Sequence, residues 1–312
     1  MLNTNRLRLL RELADRGTIT AVAEALYLTP PAVSHQLAVL ETEVGVPLLE
    51  RTARSVRLTE AGIRLVKHAN AILAECEAAL ADVAAVGESV SGHVRLSTFQ
   101  TAVQTIALPA MHALSERYPN LRVTCVDAEP VRAEPELKAG TLDVALSHEW
   151  DFVPLAEDPA LDRVQLMSEP VVVLLPPGHR LAAAREVRLR DLAADAWCVA
   201  HESATSRQAV ERVANAAGFE PRIVVESNYF RAIGSAVESG IGVGIAPKMT
   251  DLRGIDVSIR PLVEPAMSRR IYAAVRKGSG EAPATRAVVD ALKTAALRAA
   301  DSLRQETTTT SP

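Results

Sequence analysis

Hydrophobic residues near the start of the chain recur with helical spacing and predict two short helices joined by a tight turn. The first helix has Thr20 as its predicted N-cap and ends near Tyr27. The second begins after Thr29, carries two prolines in its first turn, where a missing N–H is harmless, and ends at Gly45. Its apolar positions recur at i, i+4 and i+7, and they are Val33, Leu37 and Leu40. This pattern is typical of a helix-turn-helix.

The outward face of the second helix carries the residues that we expect to contact DNA. They are Thr29, Pro30, Pro31, Ser34, His35 and Gln36. Basic residues follow before the next helix, and Arg51 and Arg54, with Arg57 beyond them, predict a wing that contacts phosphates or the minor groove. The competing interpretations are a helical hairpin whose polar residues are merely solvated and a solvated loop in place of the wing.

A long helix is predicted from Thr59 to about Val86. Apolar residues spaced by four and three positions form a heptad seam of Leu65, Ala69, Ile72, Cys76, Ala79 and Val83, continued by Val86. Because one helix cannot bury such a seam alone, the pattern predicts dimerisation through residues 59–86. The competing interpretation is that the seam packs against the body of its own chain.

The chain after a Gly- and Ser-containing hinge at residues 87–92 alternates between strand and helix patterns. Helices are expected over residues 102–117, 134–139, 206–217 and 230–239, and strands near 164–168 and 171–175 precede a further series. Strands separated by helices imply parallel sheets covered on both faces. The predicted fold class is α/β, with an all-α winged helix-turn-helix domain at the N-terminus.

Composition is compatible with two or three folded cores. The chain has 312 residues, 48% of them hydrophobic, and no run approaches the roughly 20 apolar residues of a membrane helix. The start also lacks the apolar segment of a signal peptide, so we expect a cytoplasmic protein. Residues 1–58 hold seven Arg against six acidic residues, a balance of +1, which excludes a uniformly basic DNA-binding domain. Three widely separated cysteines suggest neither disulfides nor a zinc motif, and buried small side chains are their default interpretation.

Several linked motifs strongly resemble the amino-terminal domain of the LysR-type transcriptional regulators. They are Ala-Val-Ala-Glu-Ala-Leu, Thr-Pro-Pro-Ala-Val-Ser-His-Gln-Leu, Leu-Glu-Thr-Glu-Val-Gly-Val-Pro-Leu-Leu-Glu-Arg and Leu-Thr-Glu-Ala-Gly, in order from Ala21 to Gly62. The resemblance extends more weakly beyond residue 92. It implies a dimer or tetramer that binds double-stranded promoter DNA, and a two-lobed, periplasmic-binding-protein-like domain that responds to a small-molecule effector. RNA polymerase is one further candidate partner.

The resemblance also sets the expected domain boundaries. Residues 1–58 form the DNA-binding domain, 59–91 the linker helix and hinge, 92–303 the effector-binding domain, and 304–312 a disordered tail rich in threonine. Within the effector-binding domain, lobe I is expected over residues 92–163 and 269–303 and lobe II over 164–268. The chain crosses between the lobes twice in that architecture.

Three positions depart from the family's usual text. Pro30 stands where Gln is common, which removes an amide that could read adenine. His35 stands where Arg or Lys is frequent, so this contact loses a fixed charge. Leu49 replaces a frequent Phe and is interpreted as a core change. These departures affect the expected operator sequence and leave the DNA-binding role in place.

A ligand cleft is predicted where loops leave the carboxyl ends of strands and open helices. The candidate effector-binding residues are Thr98, Phe99, Gln100, Thr101, Ser147, His148, His201, Ser203, Thr205, Ser227 and Asn228. Hydroxyls and free backbone N–H groups at a helix N-terminus favour a carboxylate or another anion. The competing interpretation is that the Thr and Ser residues are ordinary helix caps.

An enzyme is the rival class, but the sequence lacks a phosphate loop, a nucleophile elbow and a cluster of metal ligands. We therefore expect no catalytic residues, no metal and no cofactor. A free-standing solute-binding protein and an effector-independent DNA-binding protein are two further hypotheses. The leading hypothesis is an effector-responsive transcriptional regulator.

Overall fold

The N-terminal part of the chain is a helical domain with a two-stranded hairpin and a long helix behind it. The structure, a computed structural model, describes residues 1–51, 56–86 and 90–309. The elements of this part are α1 (Thr4–Arg16), α2 (Ile19–Ala25), α3 (Pro30–Val44), β1 (Leu49–Arg51), β2 (Val56–Leu58) and α4 (Glu60–Ala85). Strands β1 and β2 are antiparallel, as a wing requires.

The helix ends follow the local rules of capping, with one correction. Thr29 Oγ1 accepts from the N–H of Ala32 at 3.4 Å, and Thr59 Oγ1 accepts from Gly62 N–H at 3.0 Å, which confirms both as N-caps. Gly45 has φ +77° and ends α3 as predicted. The prediction for Thr20 is wrong, because α2 begins one residue earlier and Thr18 Oγ1 accepts from the N–H of Ala21.

The Leu-Thr-Glu-Ala-Gly motif joins α4 to the rest of this domain. The backbone N–H of Thr59 donates to the Leu48 carbonyl at 2.9 Å. Gly62 approaches the same carbonyl so closely that a Cβ there would collide with it. The motif therefore fixes the exit of the long helix from the domain. The buried core beneath it consists of Leu7, Leu9, Leu10, Leu13, Val22, Ala23, Val33, Leu37, Leu40, Leu48, Leu49 and Ala69.

The rest of the described chain is an α/β domain. Its strands are β3 (Gly92–Thr98), β4 (Leu121–Asp127), β5 (Val144–Trp150), β6 (Leu161–Leu175), β7 (Val187–Arg188), β8 (Ala196–Val199), β9 (Arg222–Glu226), β10 (Val243–Pro247), β11 (Ser258–Val263) and β12 (Ser268–Arg276). Its helices are α5 (Gln100–Ala102), α6 (Leu108–Arg117), α7 (Pro130–Ala139), α8 (Thr205–Ala216), α9 (Phe230–Glu238) and α10 (Pro283–Thr309). A π-helical turn over Val103–Ala107 joins α5 to α6, and a 3₁₀ turn spans Leu189–Leu192.

Two long strands connect the two lobes. The strand order is β4, β3, β5, β12, β6, β10, β8, β9, with β11 paired to β6 and β7. Residues 161–170 of β6 pair with β12, and residues 171–175 pair with β10 and β11. The expected strands 164–168 and 171–175 are therefore one strand, which leaves lobe I near Pro170 rather than near Val164. Because β6 and β12 carry the chain in opposite directions, the sheet is mixed rather than all parallel.

Two element ends in this domain differ from the sequence prediction. Helix α7 begins at Pro130, four residues before the expected start, since a proline at the first helical position lacks only an N–H that would be unpaired anyway. Helix α10 runs to Thr309, past the start of the expected disordered tail at Arg304. Leu303 packs partly buried against the lobe I core, its carbonyl accepts from Lys248 Nζ at 2.7 Å, and Arg304 pairs with Asp301.

Candidate functional site

The outward surface of α3 presents its N-terminal prolines and His35. Pro30, Pro31 and His35 are exposed, whereas Val33 and Leu37 are buried beneath them. Ser34 and Gln36 are half-buried. The expected inward and outward faces of this helix are therefore present, and DNA contact through the outward face stays a prediction.

Gln36 is bound within its own domain. Its Oε1 accepts from Arg6 Nε at 2.9 Å, and the same guanidinium forms an ion pair with Glu43. Arg6 was not among the predicted DNA-binding residues, because its link to α3 spans 30 positions in sequence. The amide of Gln36 is thus oriented by α1 before any DNA is bound.

The described part of the wing includes two of the predicted basic residues, Arg51 and Arg57. Arg51 ends β1, and its backbone is paired with Val56. Arg57 on β2 is exposed. Arg54 lies outside the described residues. A phosphate or minor-groove contact by these side chains stays a prediction.

The predicted heptad seam on α4 is divided between two environments. Ala69 is fully buried in the core of its own DNA-binding domain, and Leu65 and Ile72 pack partly buried against it. These three residues pack at least partly within their own chain, and dimerisation through them stays a prediction. Cys76, Ala79 and Val83 are exposed, Val83 at 73%. Leu80, 69% exposed and outside the predicted seam, lies beside them.

Polar contacts join the DNA-binding domain to lobe I. The Arg11 guanidinium donates to the Lys138 carbonyl at 2.6 Å, and Arg16 donates to the Pro135 carbonyl at 3.2 Å. Lys138 Nζ forms ion pairs with Asp15 at 2.6 Å and Asp158 at 3.0 Å. Burial lowers the pKa of Lys138, but the hydrogen bonds and charges of the two carboxylates outweigh it and raise the pKa. All these lobe I groups except Asp158 belong to the C-terminal half of α7.

A cavity of about 280 Å³ lies between the lobes. Its lobe I wall contains the starts of α5 and α7 with the end of β5 and the start of β12. Its lobe II wall contains the start of α8 and the loop before α9. The lining residues are Phe99, Gln100, Thr101, Glu129, Pro130, Val131, Glu134, His148, Trp150, Leu155, Ala200, Ser203, Ala204, Thr205, Ser206, Asn228, Phe230 and Arg269.

Seven of the predicted effector-binding residues line this cavity, and four do not. The seven are Phe99, Gln100, Thr101, His148, Ser203, Thr205 and Asn228. Thr98 and Ser147 are buried away from it, and Ser147 Oγ donates to Glu134 at 2.9 Å. His201 is exposed, and Ser227 accepts from the N–H of Tyr229.

Sequence reasoning missed several charged and aromatic side chains of the wall, above all Arg269. The Arg269 Nε and Nη2 atoms donate to Glu169 Oε1 at 3.0 and 2.5 Å, and Nη2 also donates to Thr101 Oγ1 at 2.6 Å. Arg269 and Glu169 are each 1% exposed. The guanidinium carbon lies 5.0 Å from the ring centre of Phe99 and 5.6 Å from that of Trp150. A buried, fully paired cation therefore supports the floor of the cavity.

A second charged group, Glu129, stands at the cavity beside His148. Glu129 Oε2 lies 3.2 Å from His148 Nε2, and the Glu129 side chain is 54% exposed. Burial lowers the pKa of His148, more than the carboxylate of Glu129 raises it, so the imidazole is neutral. Burial raises the pKa of Glu129, but the hydrogen bond from His148 and the charge of Arg269 lower it by more, so the pKa lies below its usual value. The carboxylate is thus ionised and accepts from Nε2–H.

Three residues of the cavity wall carry buried polar atoms with no hydrogen-bond partner in the part of the chain that the structure describes. The atoms are Gln100 Oε1, His148 Nδ1 and Trp150 Nε1. An unpaired buried polar group costs about 1–3 kcal/mol. These three atoms surround one cavity, which makes this cavity the candidate ligand site.

Other features of the described residues carry no such chemistry. No group of three or more His, Cys, Asp and Glu side chains within them could hold a metal ion. No helix among them is long and apolar enough to cross a bilayer. Burial raises the pKa of Cys125 and Cys198, whereas Cys76 is exposed, which corrects the expectation of three buried cysteines.

A helix-turn-helix domain linked by a long helix to a two-lobed domain with a cleft defines a ligand-responsive DNA-binding regulator. Two family models match the chain in that order. One, described as bacterial regulatory helix-turn-helix protein, lysR family, matches residues 4–63, and the other, described as LysR substrate binding domain, matches residues 87–297. The chain belongs to the LysR family of transcriptional regulators. It is a DNA-binding transcriptional regulator with an effector-binding domain, in a family whose members are not enzymes.

Curated relatives and solved structures agree with this assignment. The chain is 32% identical to the HTH-type transcriptional regulator ShiR of Corynebacterium glutamicum over 86% of this chain and 94% of ShiR. It is 29% identical to the nitrogen assimilation regulatory protein nac of Klebsiella aerogenes over 79% of both. Full-length OxyR from Pseudomonas aeruginosa has the same fold, with a TM-score of 0.63, 22% identity and coverage of 94% of this chain and 95% of OxyR. CbnR, solved in complex with its target DNA, has a TM-score of 0.55, 22% identity and coverage of 95% of this chain and all of CbnR.

Proposed function

We propose that this regulator binds its operator through the start of α3 and the wing, and changes that binding when a small molecule enters the cleft between the lobes. The observation that carries the effector part is the cavity with three unpartnered buried polar atoms. Its volume of about 280 Å³ lies at the small end of the range of ligand pockets, about 300–1,000 Å³, and therefore suits a small metabolite. The cleft works as a binding site without catalysis, in the cytoplasm, where the operator DNA is.

On the DNA side, Ser34, His35 and Gln36 read base edges from α3. Exposure of His35 and of the prolines before it supports this assignment. The bond from Arg6 to Gln36 holds the amide in one orientation, which reduces the entropy lost on binding. Arg51 and Arg54 supply sequence-independent affinity for phosphate or the minor groove. RNA polymerase remains a candidate partner of the bound regulator.

Assembly uses the exposed C-terminal half of α4. The apolar residues there, Leu80 and Val83 with Ala79 and Cys76, share a face that water would otherwise cover. Two copies that join along this face bring two recognition helices to one operator, and contacts between effector-binding domains can extend the dimer to a tetramer. The boundaries between DNA-binding domain, linker, lobe I and lobe II are proposed as the sequence predicts, with the β6 crossing near Pro170.

Helix α7 offers a route between the two functions. Its first turn lines the cavity through Pro130, Val131 and Glu134, and its last turn holds α1 of the DNA-binding domain through Lys138. A ligand that shifts this rigid helix therefore shifts the contact with α1 as well. Coupling through one packed element does not require a change in the rest of the lobe.

Variants of both surfaces test the proposal on one operator fragment. Replacing His35 by Ala should relax base preference while it leaves non-specific affinity intact. Replacing Ser203 by Ala or Thr101 by Val should weaken effector binding and leave basal DNA affinity unchanged. Unchanged specificity in the first variant, or unchanged effector affinity in both others, would reject the respective site. A regulator that lacks effector response altogether would give identical operator affinity with every tested metabolite.

A further inference from the structure

The two walls of the inter-lobe cavity differ in their hydrogen-bonding character. The lobe I wall presents acceptors, namely the Glu129 carboxylate, Gln100 Oε1 and His148 Nδ1. Since the Nε2–H of His148 donates to Glu129, its Nδ1 carries a lone pair and no proton. Two of these three acceptor groups have no hydrogen-bond partner among the described residues, and His148 is only 7% exposed. This wall therefore fits a group that brings several N–H donors.

The other charged residues that line the lobe I wall, Arg269 and Glu134, are paired. Arg269 is paired with Glu169, and Glu134 is paired with Arg163 at 2.9 Å and accepts from Ser147. Among the described residues, the group at hydrogen-bond distance from the Glu129 carboxylate is the neutral imidazole of His148. A single carboxylate is thus the charge that the wall offers to a ligand, and its complement is a protonated amine.

The lobe II wall presents donors. Helix α8, twelve residues long, begins at the cavity with Ala204 as its N-cap, and Ala has no side-chain acceptor for the first-turn N–H groups. Ser203 and Thr205 add hydroxyls beside it. The indole N–H of Trp150, a residue 1% exposed and packed with the lobe II core, is a buried donor without a partner among the described residues. These groups fit an anionic oxygen.

Between the two polar walls, the lining is apolar. Phe99, Trp150 and Phe230 contribute aromatic rings, and the Trp150 and Phe230 ring centres are 6.1 Å apart. Val131 and Leu155 contribute aliphatic carbon. A ligand that pairs with both walls must carry an apolar part along this strip.

We propose that the cleft binds an amino acid or a close derivative, with its amine on Glu129, Gln100 and His148, its carboxylate at the start of α8, and an apolar side chain along the aromatic strip. This inference rests on the proposed effector role of the cleft. The sequence predicts an anionic ligand, but a carboxylate accounts only for the lobe II wall. The proposal therefore adds an amine that pairs with the lobe I wall. A simple carboxylate would leave the lobe I acceptors unpaired, and a simple amine would leave the start of α8 uncapped.

Two sets of three matched probes test the ligand class on the full-length chain. One set is phenylalanine, hydrocinnamate, which lacks the amine, and phenethylamine, which lacks the carboxylate; the other is leucine, isocaproate and isoamylamine. The chain has two tryptophans, so Trp197→Phe leaves Trp150, on the cavity wall, as the fluorescent reporter. Thermal shift of the unmodified chain provides a second readout. At least one amino acid should bind about tenfold or more tightly than both of its truncated partners.

Substitution of Glu129 separates charge from shape. Glu129→Gln should weaken binding of the amino acid by about tenfold to hundredfold and leave the carboxylate probe unchanged, since only the amine meets Glu129. Glu136→Gln is the matched control, because Glu136 belongs to the same helix, pairs with Arg132 and does not line the cavity. It should leave every affinity unchanged. Gln100→Leu removes a second acceptor and should act in the same direction as Glu129→Gln.

The failures are distinguishable. If a carboxylate without an amine binds as tightly as its amino acid, or if no probe of either set binds, the ligand class is wrong. If that carboxylate is weakened by Ser203→Ala, the cleft remains the effector site and only the class fails. If bound probes are insensitive to both Ser203→Ala and Glu129→Gln, the cleft itself is not their site, and the proposed function fails with the inference.

Discussion

The buried ion pair at the lobe junction gives a quantitative test of the cavity floor. Glu169→Gln removes the negative charge and keeps the shape of the side chain. Glu169 Oε1 accepts two bonds from Arg269, and Oε2 accepts from the N–H of Met249 at 2.7 Å. An amide has one acceptor oxygen, so its NH₂ group must face a donor on one side, and the Arg269 charge is left uncompensated.

The cost follows from burial. Both residues are 1% exposed, and breaking a buried pair by removing one partner costs about 3–5 kcal/mol. With a urea m-value of about 2–3 kcal/mol/M, the unfolding midpoint should fall by about 1–2.5 M. The change should be measured by urea titration with tryptophan fluorescence, because Trp150 lies directly against Arg269.

Glu281→Gln is the control for this experiment. It is the same chemical change in the same domain, but Glu281 and its partner Arg286 are 79% and 59% exposed and 3.7 Å apart. Its cost should be at most about 1 kcal/mol, as is usual for exposed pairs. A Glu169→Gln midpoint within experimental error of the control would refute the argument that the pair is desolvated and structurally required.

Three further predictions concern assembly, pH and coupling. Leu80→Asp should dissociate the dimer, as measured by sedimentation, while the chain stays folded. Ile72→Asp should instead lower the melting temperature of the DNA-binding domain, because Ile72 packs in its own chain. The reverse pattern would show that the full predicted seam is the interface. Because burial lowers the pKa of His148 below 6.5, the unfolded chain binds more protons than the folded chain just under that pH. The free energy of unfolding should therefore fall by up to about 1.4 kcal/mol for each pH unit by which the pH is lowered there. His148→Gln should flatten this slope in denaturation curves, and an equal slope in the variant would contradict the prediction. Lys138→Ala should reduce the effect of a bound ligand on operator affinity by about fivefold or more without changing ligand affinity, and full retention of the effect would exclude α7 as the route.

The sequence was most informative where local rules act. Thr29, Thr59 and Gly45 were predictable as helix ends, because capping depends on neighbours within three or four residues. The predicted start of α7 was four residues late, although a proline at the first helical position, such as Pro130, costs little. The capping rule also failed by two residues at the start of α2, where it selected Thr20 although the N-cap is Thr18.

The site itself was only partly predictable, because its charged groups come from distant strands. Arg269 bonds to Glu169 and Thr101 across 100 and 168 positions of sequence, and no spacing rule connects them. The loops at strand ends, by contrast, follow from the general position of ligands in α/β sheets, which is why Thr101 and Ser203 were found. The seam on α4 has the right period, but the period cannot tell which neighbour covers which half.

The central claim, that this chain is a sequence-specific regulator whose N-terminal domain binds operator DNA, is tested most directly by a gel shift. Purified full-length protein should shift the DNA that flanks its own gene at low salt, more strongly than an unrelated fragment of equal length, and the affinity should fall steeply as salt rises. No shift at low salt, where phosphate contacts are strongest, or equal affinity for both fragments at every salt concentration, would contradict it.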